Sequence, residues 1–346
     1  MSASRFLAGL VAVVFLLGLT GCAHRPALER HEFTSIQMAI PFRIVLYARD
    51  GVTATNAANA AWNRIAALNR SLSDYDVESE LSLFSAGSPH DQWVPLSPDL
   101  ATVLDTAQRV AAASGGGFDV TVGPLTQLWR RARRQHQLPD SNLLAVARGS
   151  VGWSALELRK AQVGRSTEGR LLRAGMRLDL GGIAKGYALD AATAVLQKNG
   201  ITCSLVAGAG DMVASDAPPG QPGWRIEIAP LDVTNAPPAR QVWLRRASLC
   251  TSGDLFQHVE IDGVRYSHIV DPHTGMGLTD HSLVTVIGSD GMTTDALSTA
   301  ISVIGPERGR ALAREFHAEM LFIRRPGNAL EIGETPGFRR WERSGN

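Results

Sequence analysis

This chain reads as an α+β protein in which antiparallel sheet is flanked by helices. Strand-length apolar stretches crowd the second half, and two of them are joined by Asp262-Gly263, a two-residue turn suited to an antiparallel hairpin. Helical patterns come in blocks and do not alternate strictly with strands, which argues against a doubly wound parallel sheet. No repeat period or low-complexity block interrupts residues 34–346, so one domain, of one or two lobes, is expected there.

The N-terminus precedes that domain. Arg5 supplies a short positive region, "FLAGLVAVVFLLGL" an apolar core, and "LTGC", Leu19 to Cys22, the end of the segment. A secretory signal has this three-part form. Small residues before a cysteine resemble the bacterial lipobox, which implies cleavage before Cys22 and a lipid on it. The apolar run is shorter than the ~20 residues of a spanning helix, which favours a signal over an uncleaved anchor. Residues 1–21 are therefore expected as a lipoprotein signal peptide and 22–33 as a lipid-anchored tether. The mature protein would be a bacterial membrane lipoprotein.

Residues 35–48, "SIQMAIPFRIVLYA", read as a strand, and "TATNAANAAWNRIAALNRSL" as an amphipathic helix from Thr53. "SPDLATVLDTAQRVAAASGGG" has Ser97 as N-cap, Pro98 at the first helical position and glycines at its stop. "GPLTQLWRRARRQ" reads as a helix whose Arg130, Arg131, Arg133 and Arg134 form a charge run, read as a solvated face in preference to a binding patch. Ile183 to Lys198 is rich in Ala and Leu, with Gly200 as its stop. Strands follow: "ITCSLVAGAGDM", "WRIEIA", "QVWLRRASL", the hairpin "QHVEIDGVRYSHIV" and "HSLVTVIG". Helices over 292–304 and 306–317 and the strand "EMLFIR" complete the pattern, and "PLDVTNAPPAR" is the expected surface excursion. Cys203 and Cys250 either pair, which an exported protein permits, or stay as two buried thiols.

The chain has 346 residues, 45% hydrophobic and 19% charged, with a formal net charge of +1. This balance leaves no electrostatic footprint for nucleic acid, and no basic run with interleaved aromatics occurs. Only Lys160, Lys185 and Lys198 are lysines, so a lysine inside "DLGGIAKGYALD", 179–190, is unusual here. In that stretch a strand ends in Asp179, glycines turn the chain, and a helix begins. Free backbone N–H groups converge at such a place and can hold a phosphate, although the spacing is neither a Walker A loop nor GxGxxG. "AGAGDM", 207–212, lacks the third glycine and the helix of a dinucleotide fingerprint.

Other stretches carry candidate chemistry. Asp295 and Thr299 in "TTDALSTAISVIG" stand four apart, on one helix face, and offer hard oxygen ligands that suit Mg²⁺. The alternative is an Asp complementing the helix dipole beside an ordinary Thr. "YSHIVDPHTGMGL", 266–278, brings His268, Asp271 and His273 around a turn. His268 could act as general base or acid, the group could bind metal though it matches no zinc spacing, or Asp271 could simply bond its own backbone. Tyr75 in "LSDYDVESELSLFS" could stack on a planar ligand or be partial core. "SGGGFDVTVGPL", 114–125, is a glycine loop bearing Asp119.

Together, in this order, "SIQMAI", "LSDYDVESEL", "GGFDVTVGPLTQLW", "LDLGGIAKGYALD", "LVAGAGDM", "CTSGDLF", "YSHIVDPHTG" and "DALSTAISVIG" resemble the ApbE-like FAD:protein FMN transferases. The resemblance spans about residues 35–305. It implies a T-fold-like enzyme that takes FAD as substrate with Mg²⁺. Such an enzyme moves the FMN half, through a phosphoester, to a Thr or Ser of an acceptor flavoprotein, a subunit of a membrane redox complex, and releases AMP. Carried over, Met38, Tyr75, Gly116, Gly117, Phe118 and Asp119 would line the flavin and its linker. Asp179 and Lys185 would contact the nucleotide, with Ile269 beside it. Asp295, Thr299 and a backbone carbonyl near Gly182 would hold the metal, and His268 would take the acceptor hydroxyl's proton. Val120 stands where proline is common, Ala209 where glycine is usual, and "MAI" in place of Met-Gly-Thr; none removes a ligand side chain. Two other readings stay open: an FAD pyrophosphatase giving FMN and AMP, and a non-catalytic flavin-binding lipoprotein.

Overall fold

The computed structural model describes residues 27–161, 166–231, 240–255, 257–326 and 329–342. The expected signal segment with Cys22, and residues 232–239 of the expected excursion, lie outside the described residues.

The stretch 35–48 is not one strand but part of a hairpin. β1 (Glu29–Gln37) pairs antiparallel with β2 (Ile40–Ala48), and Met38 and Ala39 turn the chain with φ of 49° and 62°. Neither turn residue is glycine, so the sequence carried no turn signal. β1 also claims residues 29–33, which were expected as tether.

α1 (Gly51–Leu72) begins two residues before the expected Thr53, because Asp50 caps it by accepting from Thr53 N at 2.7 Å. α2 (Glu80–Ala86) and β3 (Val94–Leu96) follow. α3 (Pro98–Ser114) is punctuated as read: Ser97 Oγ accepts from Leu100 N, and Gly115 ends the helix at φ 64°. Next come α4 (Gly123–Gln135), α5 (Ser141–Gly149), β4 (Leu156–Lys160) and β5 (Thr167–Leu171). Strands β3, β5 and β4 form a small antiparallel sheet.

α6 (Ala184–Lys198) leads into β6 (Ser204–Gly208) and β7 (Asp211–Ala214), a hairpin turned at Ala209-Gly210. "AGAGDM" is thus a β-turn. β8 (Trp224–Ile228) pairs with β9 (Arg240–Leu244), and "QVWLRRASL" breaks at Arg245-Arg246 before β10 (Ala247–Gly253). β11 (His258–Ile261) and β12 (Val264–Ser267) turn at Asp262-Gly263 as expected. After β13 (Ser282–Gly288), α7 (Gly291–Glu315) is interrupted at Gly305, φ 79° and ψ 174°, ahead of Pro306, which gives the two helices expected. β14 (Glu319–Arg324) and β15 (Glu331–Glu334) complete the main sheet.

Among the described residues that sheet runs β1-β2-β6-β7-β10-β13-β14-β15, antiparallel throughout. Its inner strands are buried on both faces, with alternation sorting the side chains, while the edge strands β1 and β15 are largely open. Phe42, Ile44, Val206, Val284, Val286, Met320 and Phe322 pack into the large core formed with α1, α3, α6 and α7. Val45, Leu205, Leu249, Leu283, Ile287, Leu321 and Ile323 face a second core under the β8–β9 hairpin and Phe338. A third cluster joins α4 and α5 to the β11–β12 hairpin through Leu125, Trp129, Val259 and Tyr266. The α+β expectation holds. Cys203 and Cys250 are buried free thiols.

Candidate active site

The stretch 179–186 is positioned by the segment before α4. Asp179 N donates to Val120 O at 2.8 Å, and Gly123 N to Arg177 O at 3.2 Å, so the two segments lie side by side. Asp179 Oδ1 accepts from Gly181 N at 2.8 Å and folds the glycine turn back on its own side chain. Its Oδ2 accepts from Thr126 Oγ1 at 2.7 Å and from Arg130 Nη2 at 2.8 Å.

α6 then brings Lys185 against α7. A methyl group on Gly186 would overlap the Gly291 carbonyl, so the two helices meet at a backbone contact that only glycine allows. Asp190 secures the meeting: its carboxylate accepts from Gly291 N at 2.7 Å and Met292 N at 2.8 Å, two otherwise unpaired donors at the start of α7. Burial pushes the Asp190 carboxyl up to about 7, against those hydrogen bonds.

At this crossing Lys185 Nζ lies 2.9 Å from Asp211 Oδ2 and 3.0 Å from Asp295 Oδ1. Asp295 Oδ2 also accepts from Gly186 N at 3.0 Å, and Asp211 Oδ1 from Thr251 N at 3.0 Å. Both carboxylates are buried, at 2% and 1% exposure. Burial opposes the lysine's charge, yet the two carboxylates outweigh it and hold the ammonium above its usual range. Burial pushes Asp211 up to about 6, with Lys185 pulling the other way.

Thr299 stands one helical turn beyond Asp295, half-buried, with Oγ1 3.3 Å from Ser252 Oγ. A Cβ at Gly182 would sit 2.9 Å from Thr299 Oγ1 and 3.2 Å from the Phe118 ring. Asp179, Gly182, Lys185, Asp295, Thr299 and Phe118 thus gather in one corner. Gly117 packs on Ile304 of α7, and Gly116, at φ 83°, leaves space that a side chain would contest with His273 and Trp153. Asp119 uses both oxygens on nearby backbone and Thr121: Oδ1 accepts from Thr121 N and Oγ1, and Oδ2 from Trp153 N at 2.8 Å.

Tyr75 reaches the corner through Arg130. The residue is 76% exposed, with the guanidinium carbon over its ring, 4.2 Å from the centroid. Arg130 Nη1 also meets Asp74 Oδ2 at 2.5 Å. Arg130 was expected on a solvated face; the structure instead ties it between two carboxylates. Burial, and then the Asp179 charge, push the Asp74 carboxyl up against the pull of Arg130.

His268 is half-buried after β12, with Nδ1 3.1 Å from Gln257 O. Nδ1 therefore carries the proton and Nε2 presents a lone pair. Burial pushes His268 down to about 4, and the charges of Arg133, Lys185 and Asp179 are all close enough to act on it. Asp271 caps its own turn, accepting from His273 N and Thr274 Oγ1. Met38 sits at the β1–β2 turn against the large core, and Ile269 is buried, its carbonyl accepting from Leu278 N.

Asp211, Asp74 and Arg130 belong to this network and were not singled out from the sequence. Asp211 had a signal, an acidic residue directly after a hairpin turn; Arg130 was hidden in a run of arginines.

The model of the ApbE family matches residues 38–322. This chain belongs to the ApbE family. An FAD:protein FMN transferase of Vibrio cholerae is 30% identical over 334 residues, covering 95% of this chain and 97% of the relative. One from Treponema pallidum is 30% identical over 325 residues, covering 90% of each. Among solved structures, the flavin transferase ApbE from Vibrio cholerae superposes with a TM-score of 0.79 at 27% identity, covering 91% of this chain and 99% of that one. The apo form of the Pseudomonas stutzeri flavinyl transferase ApbE gives 0.78 at 27%, covering 92% and 99%. The ApbE fold accounts for the antiparallel sheet and its helices.

Proposed function

We infer that this chain is an FAD:protein FMN transferase, which moves the FMN half of FAD to a Thr or Ser hydroxyl of an acceptor protein. The observation that carries the reading is the Lys185 ammonium held, at the end of the glycine turn, between Asp211 and Asp295, the latter one helical turn before Thr299. The family supplies the activity; this corner gives it a chemistry.

In the reaction the acceptor oxygen bonds to the phosphorus nearer the flavin, the bridging P–O bond breaks, and AMP leaves with the bridging oxygen. Lys185 sets its positive charge against the phosphates, while Ile183 N, Ala184 N and Gly186 N are already given to the Leu180 carbonyl and Asp295 and serve to fix the turn. His268, neutral with Nε2 free, takes the proton of the attacking hydroxyl. Asp179 and Arg130 hold the glycine turn in place. Asp295, Thr299 and the backbone at Gly182 are hard oxygen donors. Asp211 and Asp295 carry two negative charges against one positive charge on Lys185, so the set fits Mg²⁺. Bound there, the ion would supply neutralisation of pyrophosphate charge.

The test incubates the protein with FAD, Mg²⁺ and an acceptor flavoprotein, with and without EDTA, and weighs the acceptor intact. An FMN phosphoester adduct that EDTA prevents and added Mg²⁺ restores is expected. Free FMN and AMP with an unmodified acceptor would instead favour the pyrophosphatase reading, and unchanged FAD the non-catalytic flavin-binding lipoprotein.

We propose also that export and a lipid on Cys22 hold the enzyme on the inner membrane, facing the periplasm; the support is the apolar segment ending in "LTGC". A Cys22→Ser protein that still fractionates with membranes at the mature mass would overturn this.

A further inference from the structure

Arg130 does three things at once. Its Nη1 meets Asp74 Oδ2 at 2.5 Å, its Nη2 meets Asp179 Oδ2 at 2.8 Å, and its guanidinium carbon lies over the Tyr75 ring, 4.2 Å from the centre. Asp74 and Tyr75 follow α1, Asp179 opens the glycine turn, and Arg130 comes from α4, so one guanidinium joins three separate segments. The arginine is itself fixed. Its neighbour Trp129 is buried and donates Nε1–H to Gly275 O at 2.8 Å, which anchors this turn of α4. The Asp74, Arg130 and Asp179 side chains are 17%, 21% and 9% exposed, yet the Tyr75 residue is 76% exposed. A large aromatic ring left this open, with one face already against a cation, has its other face toward solvent.

We propose that Arg130 is a positioning residue of the flavin site: it backs Tyr75 and braces Asp179, so that the outer face of the ring receives the isoalloxazine. The proposal rests on the reading of FAD as substrate. A planar guanidinium can serve two carboxylates and a ring together because its donors fan out in one plane while its face stacks; a lysine ammonium offers neither. Without the arginine, Asp74 and Asp179 would face one another with no cation between them. The turn that holds Lys185 would lose its brace, since Asp179 Oδ1 also accepts from Gly181 N.

The test measures KM and kcat for FAD, and the quenching of flavin fluorescence on binding, in the wild type, Arg130→Gln, Arg130→Lys and Asp74→Asn/Arg130→Gln. Arg130→Gln should raise KM for FAD about five- to tenfold and weaken the quenching, with the smaller loss in kcat. Arg130→Lys should fall between, keeping charge but not the fork. The double variant should regain part of the lost affinity, because it removes one of the two facing carboxylates; it carries the test if Arg130→Gln alone does not fold. Unchanged KM and quenching in Arg130→Gln, in a wild type that binds FAD, would overturn the positioning role alone. A wild type that neither binds FAD nor quenches it would overturn the flavin reading and this role with it.

Discussion

Asp295 is clamped by two consecutive residues of α6: Lys185 Nζ lies 3.0 Å from its Oδ1, and Gly186 N donates to its Oδ2 at 3.0 Å. One carboxylate of α7 thus fixes both the helix crossing and the position of the lysine. Asp211 completes the clamp from β7.

Replacing Lys185 with Met should be costly because it leaves two carboxylates buried without their cation. Breaking a buried pair in this way costs about 3–5 kcal/mol. The orphaned carboxyls would titrate above their unfolded values, so the stability lost at neutral pH should return as pH falls and they take up protons. Urea unfolding of Lys185→Met at pH 8 and pH 5 checks this. An equal loss at both pH values would mean that the carboxylates are not what the lysine stabilises.

Gly186→Ala tests the crossing itself. The added methyl would overlap the Gly291 carbonyl, and backbone cannot rotate aside as a side chain can. A loss of about 3 kcal/mol or failure to fold is expected, at the upper end of overpacking effects. Gly200→Ala is the control, since no atom lies within 4 Å of its added Cβ; its φ of 81° confines any cost to backbone strain. Equal stability of wild type and Gly186→Ala would show that α6 and α7 do not meet there.

Much of this was legible because it is local. Ser97, Pro98 and Gly115 mark both ends of α3, and Asp262-Gly263 marks a hairpin, within a few residues of what they control. The Asp295–Thr299 spacing likewise lies on one helix. The β1–β2 turn was not legible, because Met38 and Ala39 adopt left-handed φ without a glycine to announce it. Arg130 escaped for a different reason: its carboxylate partners lie 56 and 49 residues away, and no periodicity in α4 points to them. Lys185 and Asp295, 110 residues apart, were joined only by resemblance to a family.

His268 should stay neutral through the physiological range. Burial pushes it down to about 4, from an ordinary value near ~6.5. Folding therefore favours the neutral ring, and its contribution to stability is present above about pH 6.5 and lost as pH falls through about 4. His268→Asn should flatten that part of the stability–pH curve. An NMR titration of the imidazole carbon proton should show a midpoint near 4; a midpoint near 6.5 would return His268 to solvent and remove the basis for its tautomer.

The most direct measurement compares wild type with Asp295→Asn, scoring the intact mass of an acceptor after incubation with FAD and Mg²⁺. Asn keeps the shape and can still accept from Gly186 N, but removes the charge that faces Lys185 and that a bound Mg²⁺ would use. The wild type should add one FMN to the acceptor, while Asp295→Asn should add almost none yet still bind FAD, because the proposed flavin contacts at Tyr75 lie on a different segment. Transfer by Asp295→Asn at the wild-type rate would contradict the account, because the corner of Lys185, Asp295 and Thr299 would then not be where FMN is passed on.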